Sequence, residues 1–527
     1  MMSNKRLQSK KVKVAGPIST SADWSYDLIN QYYAAIEDIA KDFGLDTYPN
    51  QMEIISAEQM IDAYSSAGMP IGYNHWSFGK HFISNEQSYR RGQMGLAYEI
   101  VINSNPCIAY LMEENSMMMQ VLVIAHACFG HNSFFKGNYL FKTWTDAEAI
   151  IDYLVFAKSY ISDCEKKYGV DEVEGILDSC HALMNYGVDR YKRPSPISMR
   201  EEKQRQKDRE QYLQSQVNEL WNTIPQKLQS EDGKSRFPSE PQENILYFIE
   251  KNAPLMKPWQ REIVRIVRKI GQYFYPQRQT QVMNEGWACF WHYTILNELH
   301  ERGHVTDGFM IEFLKSHTNV VAQPDFDSPY YNGINPYALG FKMMIDIRRI
   351  CEQPTDEDKK WFPELAGTPW NESLTFAMKN FKDESFIAQY LSPKVIRDLK
   401  LFTLNDDAVL KDLNITAIHN DFGYQEIRKN LSTQYNISMK EPNIEVYDVD
   451  IVGNRSLTIR HIPTNNINLA DTTSEVMKHL HKLWGFPVKL ISEDANGEQH
   501  VLNRCPLEES AGNDGQSSNT TIGRFLY

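Results

Sequence analysis

The stretch Val121–Phe141, VLVIAHACFGHNSFFKGNYLF, constrains this chain most: an apolar run carries His126, meets Gly130 and at once presents His131 before a polar, aromatic-rich segment. Apolar residues that persist almost all round predict a buried, central helix. The run Met117–Phe129 is interrupted by Gln120 and His126. It falls short of the roughly 20 residues that cross a bilayer, so no membrane span is expected. His126 and His131 are five apart, which on a regular helix sets them about 140° from each other. They can converge only where the helix bulges or ends, and Gly130 offers that break.

A second stretch, VMNEGWACFWHY at Val282–Tyr293, supplies the complement. Glu285 and His292 are seven apart, about −20° on the same arithmetic, so they share one helix face with Ala288 and Cys289. A lone histidine on an apolar helix is ordinarily a hydrogen-bonded core residue. The second histidine, the glycine and the Glu/His face together make a metal site the competing reading. Two histidines and a carboxylate leave coordination positions open. That donor set fits catalytic zinc and equally a 2-His-1-carboxylate non-haem iron site. On this reading His126, His131 and Glu285 are ligands, and His292 is an acid/base group or a fourth ligand. A divalent metal is expected, zinc ahead of iron or manganese.

The formal charge of −13 argues against nucleic acid as a partner. The one basic concentration, Lys5 to Lys13, lacks the apolar segment of a signal peptide and reads as a solvated tail over residues 1–20. Seven scattered cysteines, none in a CxxC pair, disfavour a disulfide framework and a thiolate zinc site, and place the chain in the cytoplasm.

In chain order the pattern is mainly α. A helix is expected over Ser21–Gly44, then an aromatic, turn-rich segment Met69–Ile83 whose His75 and His81 are packing groups. Pro106 suits the first turn of a helix running on from Ile108. Thr145 and Glu148 form a capping-box pattern, and a helix bearing His181 stops at Gly187. His181, Asp189 and Arg190 either pair internally or bind an anion. The mixed-charge run Met199–Ile224 predicts an exposed helix or a partner surface. A polar linker follows near 225–243. Helices are expected before Pro276, across the NEGWACFWH stretch, and after the Asn335-Pro336 cap. The Trp287, Phe290 and Trp291 cluster reads as core. Composition then changes: Asn443–Thr464 alternates around Gly453-Asn454, a hairpin signal. The expected domains are a helical one over 21–402, a small α+β one over 403–506, and a disordered tail over 507–527.

Short motifs carry two resemblances. HACFGH resembles the HExxGH zinc motif of dipeptidyl-peptidase III type enzymes, and NEGWA resembles the NEGFA segment that brings the third zinc ligand in gluzincin aminopeptidases. Both imply zincin-like features with His126, His131 and Glu285 as ligands. Ala127 stands where that motif has its general-base Glu, so ordinary peptidase chemistry lacks its proton acceptor. Longer stretches, HNSFFKGNYLF, SCHALMNYGVDRYKRP, SEPQENILYFIEKNAPL, QVMNEGWACFWHYTILN and GINPYALGF, resemble the stage V sporulation protein R (SpoVR) family, including its proteobacterial members, from about Trp24 to Cys505. The resemblance implies a cytoplasmic bacterial protein of sporulation, cell-envelope or stress physiology, encoded beside a PrkA-type serine kinase and a von Willebrand A-type protein. Two functions follow as expectations: a metal-dependent, hydrolase-like protein, or a non-enzymatic scaffold or partner of the kinase system.

Overall fold

The computed structural model describes residues 16–66, 72–91, 99–192, 204, 208, 237–407, 412–463, 467–493 and 499–506. The terminal tails beyond these limits, nearly all of the charged run Met199–Ile224, and most of the linker lie outside the described residues. Two compact units are formed: residues up to 177 with 265–441, and 178–264 with 442 onward.

The first unit is mainly helical. Its opening helix, Tyr26–Asp42, is capped by Ser25, whose side chain accepts from Leu28 N. It buries Ile29, Tyr32, Ile36 and Ile39, a spacing that keeps one stripe on the core. A small sheet follows: β1 (Asn50–Ile55), β2 (Glu99–Ile102) and β3 (Cys107–Met112), in the order β1-β3-β2. β3 corrects the expectation of a helix from Pro106. This central strand is buried at every position, and a strand covered on both faces reads as a continuous apolar run, which periodicity cannot tell from a buried helix.

Ser116 then caps a helix that starts at Met117 and continues through a π-helical turn, Ala125–His131, into Asn132–Gly137. This is the histidine helix. Gly130 does not end it; the chain bulges instead and goes on. The partner is the glutamate helix, Gln281–Glu301, buried on nearly all sides. Its first turn has no cap from Thr280. Asp383 replaces that cap from a distant segment, accepting from Val282 N and Met283 N at 2.9 Å each, which satisfies donors that a helix start leaves open.

Small residues bring the neighbours close. A Cβ at Gly130 would lie 2.6 Å from Ala288 Cα on the glutamate helix, and one at Gly286 would lie 2.5 Å from Gly340 on the helix Pro336–Glu352. The glutamate helix is therefore packed backbone to backbone on two sides. As expected, Trp287, Phe290 and Trp291 are core, and Trp287 Nε1 donates to Ser133 Oγ of the histidine helix at 2.9 Å.

Three local expectations are corrected. The capping box at Thr145 does not form: its hydroxyl donates to Phe141 O, Glu148 accepts from Asn105, and the helix begins at Ile150. Pro276 lies inside the helix Pro258–Arg278, which runs on past it to Arg278. Residues after His75 form a helix, Trp76–Arg90, for which the His75 ring caps Ser77 N.

Strands β4 (Thr403–Asp407) and β5 (Asp412–Ala417) pair with each other. The helix after them, Asp421–Gln434, buries Tyr424, Ile427 and Leu431 in the core of the first unit, so 403–441 groups with the helical body. In the second unit, β6 (Asn443–Val449) and β7 (Leu457–Ile462) form the hairpin expected around Gly453-Asn454. Strands β8 (Val488–Glu493) and β9 (Gln499–Cys505) extend the sheet in the order β6-β7-β8-β9. The helix Thr473–Trp484 packs on it and ends at Gly485 with φ +85°. Gln242 bridges to Val446, and Phe248 stacks on Trp484, which draws the 237–252 stretch into this unit. The fold is mainly α with a small α+β region, as the sequence indicates.

Candidate metal centre

The π turn carries two histidines. Its backbone bonds run from i to i+5, so residues five apart come above one another instead of diverging. The rings of His126 and His131 accordingly meet edge to face, 4.6 Å between centroids. Both are buried. The close approach at Gly130 presses this turn against the glutamate helix and sets Glu285 beside them. Glu285 Oε2 lies 3.5 Å from His131 Nε2 and 3.7 Å from His126 Nε2. From β2 comes a fourth group, with Glu99 Oε1 at 3.3 Å from His126 Nε2.

These separations match the edge lengths of a coordination polyhedron. Donors about 2.0–2.2 Å from a tetrahedral ion stand about 3.3–3.6 Å apart. Two oxygens in the cluster, Glu99 Oε2 and Glu285 Oε2, are buried without a hydrogen-bond partner. The tautomer of His131 sharpens the point. Its Nδ1 lies 2.9 Å from Asn284 Oδ1, which accepts its N–H, so the Nε2 lone pair faces the Glu285 oxygen. Two facing lone pairs in a buried site are relieved by a proton or a cation between them. The residues fit a divalent ion, with nitrogen and carboxylate donors suited to zinc, iron or manganese.

The charge balance agrees. Burial pushes His131 down to about 4, so it is neutral. Burial disfavours the charged form of His126 too, but Glu99, with Cys289 and Glu285, outweighs it and holds that imidazole well above its usual value. Burial raises Glu99 to about 7, His126 opposing and Glu285 adding to the rise. Glu285 would also rise on burial, yet the histidines and the Tyr337 hydroxyl hold it below the ordinary carboxylate range. Without an ion, the Glu285 carboxylate and a partly ionised Glu99 thus face one imidazolium.

His292 is placed behind His126. Its Nδ1 is 2.9 Å from His126 Nδ1, and its Nε2 is 2.7 Å from His317 Nδ1. Both ring nitrogens are therefore engaged by other imidazoles. Cys289 helps to hold the His126 imidazole above its usual value. Ala127 is buried with no polar function. His181 and the segment with Asp189 and Arg190 belong to the second unit, where Asp189 accepts from Asn244 Nδ2 at 2.8 Å. Sequence reasoning missed Glu99, His317 and Tyr337. A single glutamate at the start of a short strand carries no spacing signal, and His317 lies 25 residues from the group it touches.

A mainly helical body whose buried His/Glu centre straddles a π turn and a facing helix defines the class. Residues 23–440 match the family model described as SpoVR like protein, and 442–495 match the SpoVR-like C-terminal domain. The chain belongs to the SpoVR family. It is 64% identical over 491 residues, 93% of this chain and 96% of the relative, to the Escherichia coli (strain K12) protein named Uncharacterized protein YcgB. No solved structure matches the chain. Among the described residues no helix is long and apolar enough to cross a membrane.

Proposed function

We propose that this chain is a divalent-metal protein with hydrolase-type chemistry, in which His126, His131 and Glu285 hold the ion and Glu99 is the proton acceptor beside it. One observation carries the reading: Glu285 Oε2 is buried, unpaired, and within 3.5–3.7 Å of two imidazole nitrogens. A bound zinc ion would supply Lewis acidity, polarising an oxygen of water or substrate. The chain's own groups supply the rest. Asn284 locks the His131 tautomer, and Tyr337 orients the Glu285 carboxylate through its hydroxyl. Glu99, with Oε1 3.3 Å from His126 Nε2 and Oε2 buried and unpaired, is placed to take and return a proton beside the ion. It stands in for the glutamate absent at Ala127, reached from a strand rather than from the helix. The same three ligands suit non-haem iron, and metal analysis separates the two. Family resemblance links such a centre to sporulation, envelope or stress physiology, with a PrkA-type kinase and a von Willebrand A-type protein as partners.

The test is elemental analysis of untagged chain with a chelator challenge. About one ion per chain is expected, with loss of thermal stability when it is removed. His131→Ala and Glu285→Gln should lose the ion, while Glu99→Gln retains it. Absence of zinc, iron and manganese from wild-type chain, with a melting point indifferent to chelator, would leave a buried polar network and favour the scaffold reading. Loss of the ion in Glu99→Gln would make Glu99 a fourth ligand of a closed site.

A further inference from the structure

Behind the centre, three imidazoles form a single file: His126 Nδ1 to His292 Nδ1 at 2.9 Å, then His292 Nε2 to His317 Nδ1 at 2.7 Å. His292 and His317 are both buried, and His317 Nε2 has no hydrogen-bond partner among the described residues. The rings of Tyr293, Phe313 and Phe341 pack against His317, with the Phe341 centroid at 4.6 Å. Proton counting along such a file leaves few arrangements. Each contact holds one hydrogen, and each neutral imidazole brings one.

A neutral His126 has two tautomers. With the hydrogen on Nε2 it would point at the Glu99 and Glu285 carboxylates and accept from His292 through Nδ1. With an ion at Nε2 that option is closed, and the hydrogen must sit on Nδ1. His126 then donates to His292 Nδ1, so His292 carries its hydrogen on Nε2 and donates to His317 Nδ1. His317 in turn carries its hydrogen on Nε2, beyond the file. We infer that His292 and His317 are positioning residues that fix His126 in the tautomer able to coordinate through Nε2. The inference rests on the metal reading proposed above. Carboxylates or carbonyls commonly orient metal-ligating histidines, and removing such a partner costs about 10–100-fold in affinity. Here imidazoles take that part, and His126 donates into the file through Nδ1 whether its Nε2 holds an ion or, as an imidazolium, a proton.

The experiment is long-range 1H–15N correlation on full-length chain with 15N-labelled histidine, loaded with zinc alone, and zinc affinity measured against a competing chelator. The expected result is an Nδ1–H tautomer for His126 and Nε2–H tautomers for His292 and His317. His317→Phe, which removes the acceptor but fills the space, should weaken zinc binding roughly 10–100-fold. His317→Asn, whose amide oxygen restores an acceptor near the Nδ1 position, should recover most of that loss. A merely structural role for His317 would move stability without moving the His292 tautomer or giving Asn rescue. Zinc bound with His292 in the Nδ1–H form, or bound equally by wild type and His317→Phe, would overturn this inference and leave the metal reading standing. Failure of wild-type chain to bind zinc, iron or manganese would overturn both.

Discussion

Gly130→Ala is the most informative single substitution. The added Cβ would stand 2.6 Å from Ala288 Cα, 2.9 Å from its Cβ and 3.3 Å from its carbonyl oxygen. Carbon atoms in ordinary contact sit about 3.5–4.0 Å apart, so the histidine and glutamate helices must part by about 1 Å at this point. The obstruction is largely backbone, which cannot rotate away. Overpacking of this kind costs about 1–3 kcal/mol. The functional effect should be larger in proportion, because metal–donor distances tolerate only about ±0.2 Å, and His126 and His131 lie on one helix with Glu285 on the other. Zinc affinity is expected to fall roughly 10-fold or more, comparable to losing a supporting contact. Urea unfolding of metal-free chain gives the first quantity and chelator competition the second. Gly79→Ala is the control: this helical glycine has nothing within 4 Å of its would-be Cβ, and the substitution should gain about 0.5–1 kcal/mol. If Gly130→Ala unfolds at the wild-type urea midpoint and binds zinc as wild type does, the close-approach reasoning is refuted.

Asp358 accepts two bonds from Arg349 and further bonds from Thr355; against burial, these hold it at about 2 rather than 3.8. This depressed carboxyl contributes about 2 kcal/mol that is fully present above pH ~4 and lost as pH falls toward ~2, so the deficit of Asp358→Asn in urea unfolding should shrink across that window. Asp383 runs the other way: burial raises it to about 7, so its contribution is greatest below its unfolded value and declines as pH rises through about 7. Metal-free wild-type chain should therefore lose stability relative to Asp383→Asn between about pH 4 and pH 7, and parallel profiles would oppose the assignment. Six cysteines are buried and Cys505 is partly exposed, so a brief treatment of native chain with a thiol reagent should label Cys505 first, as read by peptide mass spectrometry.

What was legible in the sequence followed local rules. The opening helix within Ser21–Gly44, the Asn335-Pro336 helix start and the Gly453-Asn454 hairpin each depend on local residue patterns, and each appears where expected. Convergence of His126, His131 and Glu285 could be posed from spacing, since it needed only a bulge and a facing helix. β3 was unreadable because full burial erases alternation. Glu99 was unreadable for another reason: its role is set by the sheet order, which returns it to the π turn from a strand otherwise ordinary. The Thr145 pattern was outcompeted when its hydroxyl bonded back to the preceding helix. Asp383 could not be foreseen either, since it caps a helix roughly 100 residues away.

The π turn has a consequence for how this protein tolerates change. Aligning two histidines five apart amounts to storing one surplus residue inside a helix, so that everything downstream keeps the phase of an α-helix one residue shorter. Removing a single residue between them, Cys128 for example, would let an ordinary α-helix form with histidines four apart on one face. Residues from Asn132 onward would keep their phase, because the surplus is absorbed within the turn. Asn132 would keep its bonds to Tyr48 and Asn50, and Ser133 its bond to Trp287. Deleting the surplus residue should therefore disturb these downstream contacts less than deleting a residue from a regular helix.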